Sequence, residues 1–127
     1  MAKYRKKLEA DIRCPLEYGL AVFGGKWKSR IICVLSADKK LRYSEIRKEM
    51  YNITDAVLAA TLKDLIADGI VDRKSYDEIP PRVEYSLTGK GNSVVPILQS
   101  ICRWSDIFYK EDVENEMKQC QKCDYHR

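Results

Sequence analysis

Two changes of hydrophobic period constrain this chain more than any other feature of it. As far as Gly69 the apolar residues recur three and four apart, the spacing of a helix face; after Thr88 that spacing returns. Between them lie two extended runs, Ile70-Val71-Asp72-Arg73-Lys74-Ser75-Tyr76 and Arg82-Val83-Glu84-Tyr85-Ser86-Leu87, separated by Asp77-Glu78-Ile79-Pro80-Pro81. Two short strands joined by a proline-containing loop predict an antiparallel hairpin set inside an otherwise helical chain.

The helical part divides at its own punctuation. Pro15 suits the first turn of a helix, where a missing N–H costs nothing. A helix from there carries Leu16, Leu20 and Phe23 and ends at Gly24-Gly25. A second, from about Lys26, places Trp27, Ile31, Val34 and Leu35 on one face, with its basic residues between them. The polar turn Ser36 to Lys40 leads into Leu41-Arg42-Tyr43. A short third helix opens at Ser44, presents Ile46 and Met50, and breaks at Asn52. Thr54 is placed as an N-cap, with Asp55 at the positive end of the helix dipole. The helix that follows buries Val57, Leu58, Leu62, Leu65 and Ile66 and stops at Gly69.

After the hairpin, Thr88 caps a long helix through Val94, Leu98, Ile101, Trp104 and Phe108. Val95, Ile97, Cys102, Ile107 and Tyr109 extend its apolar surface almost all the way round, and Pro96 is able to kink it. Helix, helix, short helix, helix, hairpin is the order of a winged helix-turn-helix. The fold class is therefore mainly α with a small β-hairpin wing (α+β). A helix apolar on two faces needs two partners, so one face is assigned to the domain and the other to a second subunit, giving a homodimer joined through its terminal helices.

Composition bounds the function. At 127 residues the chain is one domain, and 45% apolar with 33% charged residues is the make-up of a folded protein. Its longest apolar stretches fall far short of the roughly 20 residues that cross a bilayer. The charged N-terminus is followed by no apolar stretch of the secretory kind. Five cysteines, an odd number, fit reduced thiols in the cytoplasm better than a disulfide framework. The single histidine, His126, lies in the last residues of the sequence, a poor place for a proton shuttle. No nucleophile–base pair, phosphate-cradling loop or complete metal set is visible, so an enzyme is not expected. Residues 1–48 carry 13 Lys/Arg against 5 Asp/Glu, whereas residues 49–127 carry 10 against 14. Basic clusters on several elements of a small domain suit a phosphate-facing surface, and equally suit solvated helix faces.

Against this order the motifs are specific. Cys14-Pro15-Leu16-Glu17, Gly24-Gly25-Lys26-Trp27-Lys28, Leu41-Arg42-Tyr43-Ser44-Glu45-Ile46, Asp68-Gly69-Ile70-Val71 and Pro80-Pro81-Arg82-Val83-Glu84-Tyr85-Ser86-Leu87-Thr88 together resemble the HxlR-type winged-helix transcription regulators. The resemblance spans about residues 12–110. It implies a bacterial, cytoplasmic, dimeric repressor or activator, related in fold to the MarR group. The chain is accordingly divided into a basic N-terminal segment (1–12), the winged-helix domain (13–110) and a charged C-terminal extension (111–127).

The DNA-facing set follows from the elements. Lys26 and Lys28, flanking Trp27 at the start of helix two, are placed to meet phosphate at a helix N-terminus. Arg42 and Ser44 join them where the third helix opens. The front of the recognition helix offers Thr54, Asp55, Ala56, Thr61 and Lys63. It departs from the family, which commonly carries Gln and Arg there. Asp55 can accept from a cytosine amine but is repelled by phosphates, and alanines can touch thymine methyls. Arg82, beside the wing prolines, either reaches a phosphate or minor groove or pairs with Asp77, Glu78 or Glu84.

Among the cysteines, Cys14 is the candidate redox thiol: some relatives carry a sensing thiol there, and Arg13 beside it favours thiolate. A plain packing role is the alternative. Cys33 and Cys102 fall on apolar helical positions and read as inert core. Cys120, Cys123 and His126 have ligand types that suit zinc, but they are three where a structural site needs four, so no cofactor is assigned. The expected partners are double-stranded DNA and a second copy of the chain, with no membrane; a small-molecule or electrophile effector stays open. The competing function is a winged-helix module that binds protein and has weak or no affinity for DNA.

Overall fold

The computed structural model describes residues 11–109. Among the described residues five helices surround a small sheet: α1 (Pro15–Phe23), α2 (Lys26–Asp38), β1 (Lys40–Leu41), α3 (Tyr43–Met50), α4 (Asp55–Ala67), β2 (Val71–Tyr76), β3 (Arg82–Leu87) and α5 (Gly89–Ser105). The sheet is antiparallel in the order β1-β3-β2, with Lys40 opposite Ser86 and Tyr76 opposite Arg82. The hairpin is therefore the predicted wing. β1 is an addition: two residues carry no period, so only its pairing with β3 makes it a strand.

The boundaries have local causes. Gly25 at φ 88° lets α1 turn into α2, and Tyr51 at φ 69° ends α3 one residue before the expected break at Asn52. Thr54 caps α4, its hydroxyl accepting from the Val57 amide at 3.2 Å. Gly69, at φ 76°, closes α4 in a Schellman turn: the Ile70 amide donates to Leu65 O at 2.9 Å and the Gly69 amide to Ile66 O at 3.0 Å. Thr88 caps α5, accepting from the Gly91 amide at 3.0 Å. A Cβ on Gly91 would stand 2.2 Å from the Ile70 carbonyl oxygen, so glycine is what lets α5 approach the start of the wing.

The core lies where α2, α3, α4 and β3 meet. Ile31, Ile32 and Leu35 of α2 pack with Ile46 and Met50 of α3, Leu58 and Leu65 of α4, and Ile70. From α5 only one face enters, through Val94 and Leu98, while Ile97, Ile101 and Trp104 stay exposed along with Ile107 and Phe108 beyond its end. The last helix thus carries the second apolar surface expected of it, as an exposed row beside the buried one. α1 contributes a single buried residue, Val22, and leaves Leu16 and Leu20 in solvent.

Candidate nucleic-acid interface

The helix-turn-helix pair is α3 followed by α4. The Glu45 carboxylate folds back on the Arg42 amide at 2.8 Å and fixes the entry to α3. Across the turn, Asp55 is held twice: Arg47 Nε lies 2.7 Å from its Oδ1, and the Tyr43 hydroxyl donates to its backbone carbonyl at 3.2 Å and its Oδ1 at 3.5 Å. Burial, with the Asp55 charge and hydrogen bond added, pushes the Tyr43 hydroxyl above the usual phenol range, so it stays a donor at neutral pH. Asp55 is thus bound into the angle between the two helices. Arg47 and Tyr43 had no assigned role in the sequence; nothing in their spacing pairs either with Asp55.

α4 turns Leu58, Leu62 and Leu65 inward and leaves Thr54, Asp55, Ala56, Val57, Ala59, Ala60 and Lys63 exposed. Val57, expected in the core, is at the surface. Thr61 requires the opposite correction: it is 8% exposed, and its hydroxyl donates to the Val57 carbonyl at 2.6 Å. Its position, three residues after Leu58 and four before Leu65, puts it on the inward face, and back-bonding to the helix satisfies the buried hydroxyl. Arg42 and Ser44 are exposed at the front of α3.

Lys26 and Lys28 part company. Lys26 is exposed, its ammonium 4.5 Å from the centroid of the Trp27 ring, which itself packs against the core. Arg30 lies near the same ring at 5.3 Å. Lys28 instead donates to the Ala21 carbonyl at 2.9 Å. That carbonyl belongs to the last turn of α1, where acceptors lack helical donors and the dipole favours a cation. In the free chain Lys28 is thus a strut between helices.

Arg82 is also spoken for. It meets Glu78 through two nitrogens, at 2.7 and 3.2 Å, and Glu84 at 2.7 Å, while its guanidinium lies 3.7 Å from the Tyr76 ring centroid. Of the two roles open to it, the pairing within the wing is formed in the free chain. The paired hydrogen bonds from Arg82 hold Glu78 below the usual carboxylate range. At Glu84 partial desolvation pushes upward and is outweighed by hydrogen bonds from Tyr76 and Arg82, with Lys40 adding to them, so the net direction is down.

Cys14 is exposed at the N-cap of α1. Arg13 beside it turns its guanidinium toward Asp11, 3.4 Å away, and its amide to the Glu17 carboxylate at 2.8 Å. Cys33 and Cys102 are not sealed core: both are half-buried, in the wall of a cavity of about 410 Å³ that Leu20, Phe23, Leu98 and Ile101 also line. Cys120, Cys123 and His126 lie outside the described residues. Among the described residues no group of three or more His, Cys, Asp or Glu is placed to hold a metal, and no helix is long and apolar enough to cross a membrane.

With this geometry in hand, the likeness to known proteins is direct. The family model for HxlR-like helix-turn-helix proteins matches residues 22–113. An uncharacterized HTH-type transcriptional regulator of Halalkalibacterium halodurans is 43% identical over 104 residues, covering 82% of this chain and 92% of that protein. One from Methanothermobacter thermautotrophicus is 46% identical over 95 residues, 75% of this chain and 72% of its own. Among solved structures, the redox regulator HypR in its oxidized form superposes with a TM-score of 0.70 at 40% identity, over 77% of this chain and all of HypR. The reduced form of the transcriptional regulator YodB from B. subtilis gives 0.70 at 34% identity, over 80% of this chain and all of YodB. A winged helix-turn-helix with these relatives has one family: the chain belongs to the HxlR-like helix-turn-helix transcriptional regulators.

Proposed function

We propose that this regulator binds specific sequences in double-stranded DNA as a cytoplasmic homodimer, without enzymatic activity, and responds to thiol chemistry at Cys14. The observation that carries the DNA reading is the exposed front of α4, set at a fixed angle to α3 by the Arg47–Asp55–Tyr43 contacts. Thr54, Ala56, Ala60 and Lys63 are exposed side chains available to base edges there; Lys26, Arg42 and Ser44 are exposed as well and are assigned to the phosphate backbone. With only one polar hydroxyl and one amine at the front, direct readout rests largely on apolar contact with thymine methyls. Affinity then depends on phosphate contacts and on holding two half-sites at once.

The thiol reading rests on an exposed Cys14 at the start of α1, which has a single buried residue, and on HypR having been solved in oxidized and reduced forms and YodB in reduced and diamide-treated forms. Footprinting on DNA upstream of the protein's own gene tests the first part. A protected site whose binding falls steeply with salt is expected; no duplex binding at low salt would favour a protein-binding winged helix instead. Diamide treatment of wild type and Cys14→Ser tests the second. Loss of binding in wild type alone is expected, and equal loss in both would assign the response to another cysteine.

A further inference from the structure

Lys90 occupies the first turn of α5, where the positive end of the helix dipole disfavours a cation. Its ammonium is turned out of that position to two other elements. It donates to the Tyr18 hydroxyl of α1 at 2.8 Å and to the Asp68 carbonyl at 2.9 Å, and it lies 5.5 Å from the Tyr18 ring centroid. Asp68 is the C-cap of α4, the negative end of the recognition helix, so the charge that α5 disfavours is favoured there. The aliphatic stem crosses the Schellman turn: a Cβ on Gly69 would stand 3.8 Å from Lys90 Cδ.

α1 is anchored lightly. Val22 is its one buried residue, Phe23 packs partly buried against the core, and two polar tethers add to them: Lys28 from α2 holds its last turn, and Lys90 holds its middle. The first tether fixes α1 to α2. The second fixes it to the C-terminal end of the helix that faces DNA, and Cys14 caps the same short α1 four residues before Tyr18.

We propose that Lys90 is the positioning residue that couples α1 to the recognition helix, so that a displacement of α1 is felt at the C-terminal turn of α4. This rests, for its regulatory meaning, on the thiol reading above, but the coupling itself does not. When Tyr18 leaves Lys90, the ammonium loses one of the two acceptors that keep it over Asp68, and the α4 turn loosens.

Amide hydrogen exchange in the full-length reduced protein tests the coupling directly. Tyr18→Phe keeps the ring and removes the acceptor hydroxyl. It is expected to speed exchange at the Asp68, Gly69 and Ile70 amides by about three- to tenfold, the size of one lost hydrogen bond. In a Lys90→Met background the same substitution should add nothing. An unchanged rate in wild type, or an equal increase in both backgrounds, overturns the proposal.

Duplex affinity supplies a readout that a merely structural lysine would not move. Oxidation of Cys14 should cost wild type about tenfold in affinity, within the usual range of coupling between sites, and Lys90→Met less than about threefold. If Lys90→Met lowers affinity equally in both thiol states, leaving the wild-type ratio intact, the residue is structural only and the proposal fails. If wild type shows no response to oxidation, the thiol reading falls by itself, and the exchange measurement decides the role of Lys90.

Discussion

Arg47 Nε lies 2.7 Å from Asp55 Oδ1, so the acid at the front of the recognition helix and the base at the end of the preceding helix neutralise one another. Asp55 favours its own helix dipole, yet set alone against DNA it repels phosphate. Paired, it costs the interface a negative charge and ties up a positive one.

Asp55→Asn should therefore separate the two effects. Both partners are largely exposed, so the pair contributes no more than about 1 kcal/mol to folding, and less at high salt. Freed of its partner, Arg47 gains a full charge beside the DNA-facing helix. All duplexes are expected to bind more tightly at low salt, by about three- to tenfold, with a steeper salt dependence. Weakened binding confined to duplexes with cytosine at one position would show instead that Asp55 reads that base.

Thr61→Val tests the burial of a residue whose type suggested DNA contact. Valine matches threonine in shape, and the lost hydroxyl only back-bonds to Val57 O within the same helix. Base preference across a set of single-substituted operators should be unchanged, with stability within about 1 kcal/mol of wild type. A shift in preference at one base pair would place Thr61 in the groove.

What could be read in the sequence and what could not divide along a physical line. Caps, glycine stops and the period change are local, so Thr54, Gly69, Thr88 and the hairpin were all legible in place. The identity of the helix-turn-helix followed from their order. The fate of each long charged side chain was not legible, because it depends on which carbonyl or carboxylate the fold brings near. Lys28 meets a carbonyl seven residues back, and Lys90 bridges residues 72 and 22 positions away. Arg82 was legible only as a choice between two roles, since its acidic partners stand within four residues but DNA would compete for the same guanidinium.

That choice makes the wing sensitive to acid. Glu78 and Glu84 both titrate below their ordinary range in the folded protein. The stabilisation they carry is thus complete above that range and is lost as pH falls through the folded values. Carbon-detected NMR titration should find both midpoints below that of a free glutamate, about 4.3. Arg82→Met should bring Glu78 back to its ordinary range, and Glu84 part of the way, because Tyr76 still bonds to it. Midpoints at or above the free value in wild type would mean that the wing pairs do not form in solution.

The exposed stripe of α5 predicts the assembly. Ile97, Ile101 and Trp104, with Phe108 just beyond the helix end, follow one another at helical spacing, in a row beside the buried Val94 and Leu98. Trp104 and Phe108 already touch, with ring centroids 5.3 Å apart. Leu20 of α1, exposed and in the same cavity wall as Leu98 and Ile101, extends the apolar surface, and Leu16 is exposed as well. Burying a side chain of this size is worth about 1.5–3 kcal/mol, so four from each subunit exceed the low end of the cost of association. Sedimentation at micromolar concentration should give about twice the 14.7 kDa of one chain. Ile101→Asp puts a charge in the middle of the stripe and should yield the single-chain mass with the domain still folded. Because two recognition helices must meet half-sites a helical turn apart, the same variant should lose cooperative operator binding while keeping weak, salt-sensitive affinity for any duplex. A wild-type monomer at that concentration, or an Ile101→Asp dimer, would remove α5 from the interface.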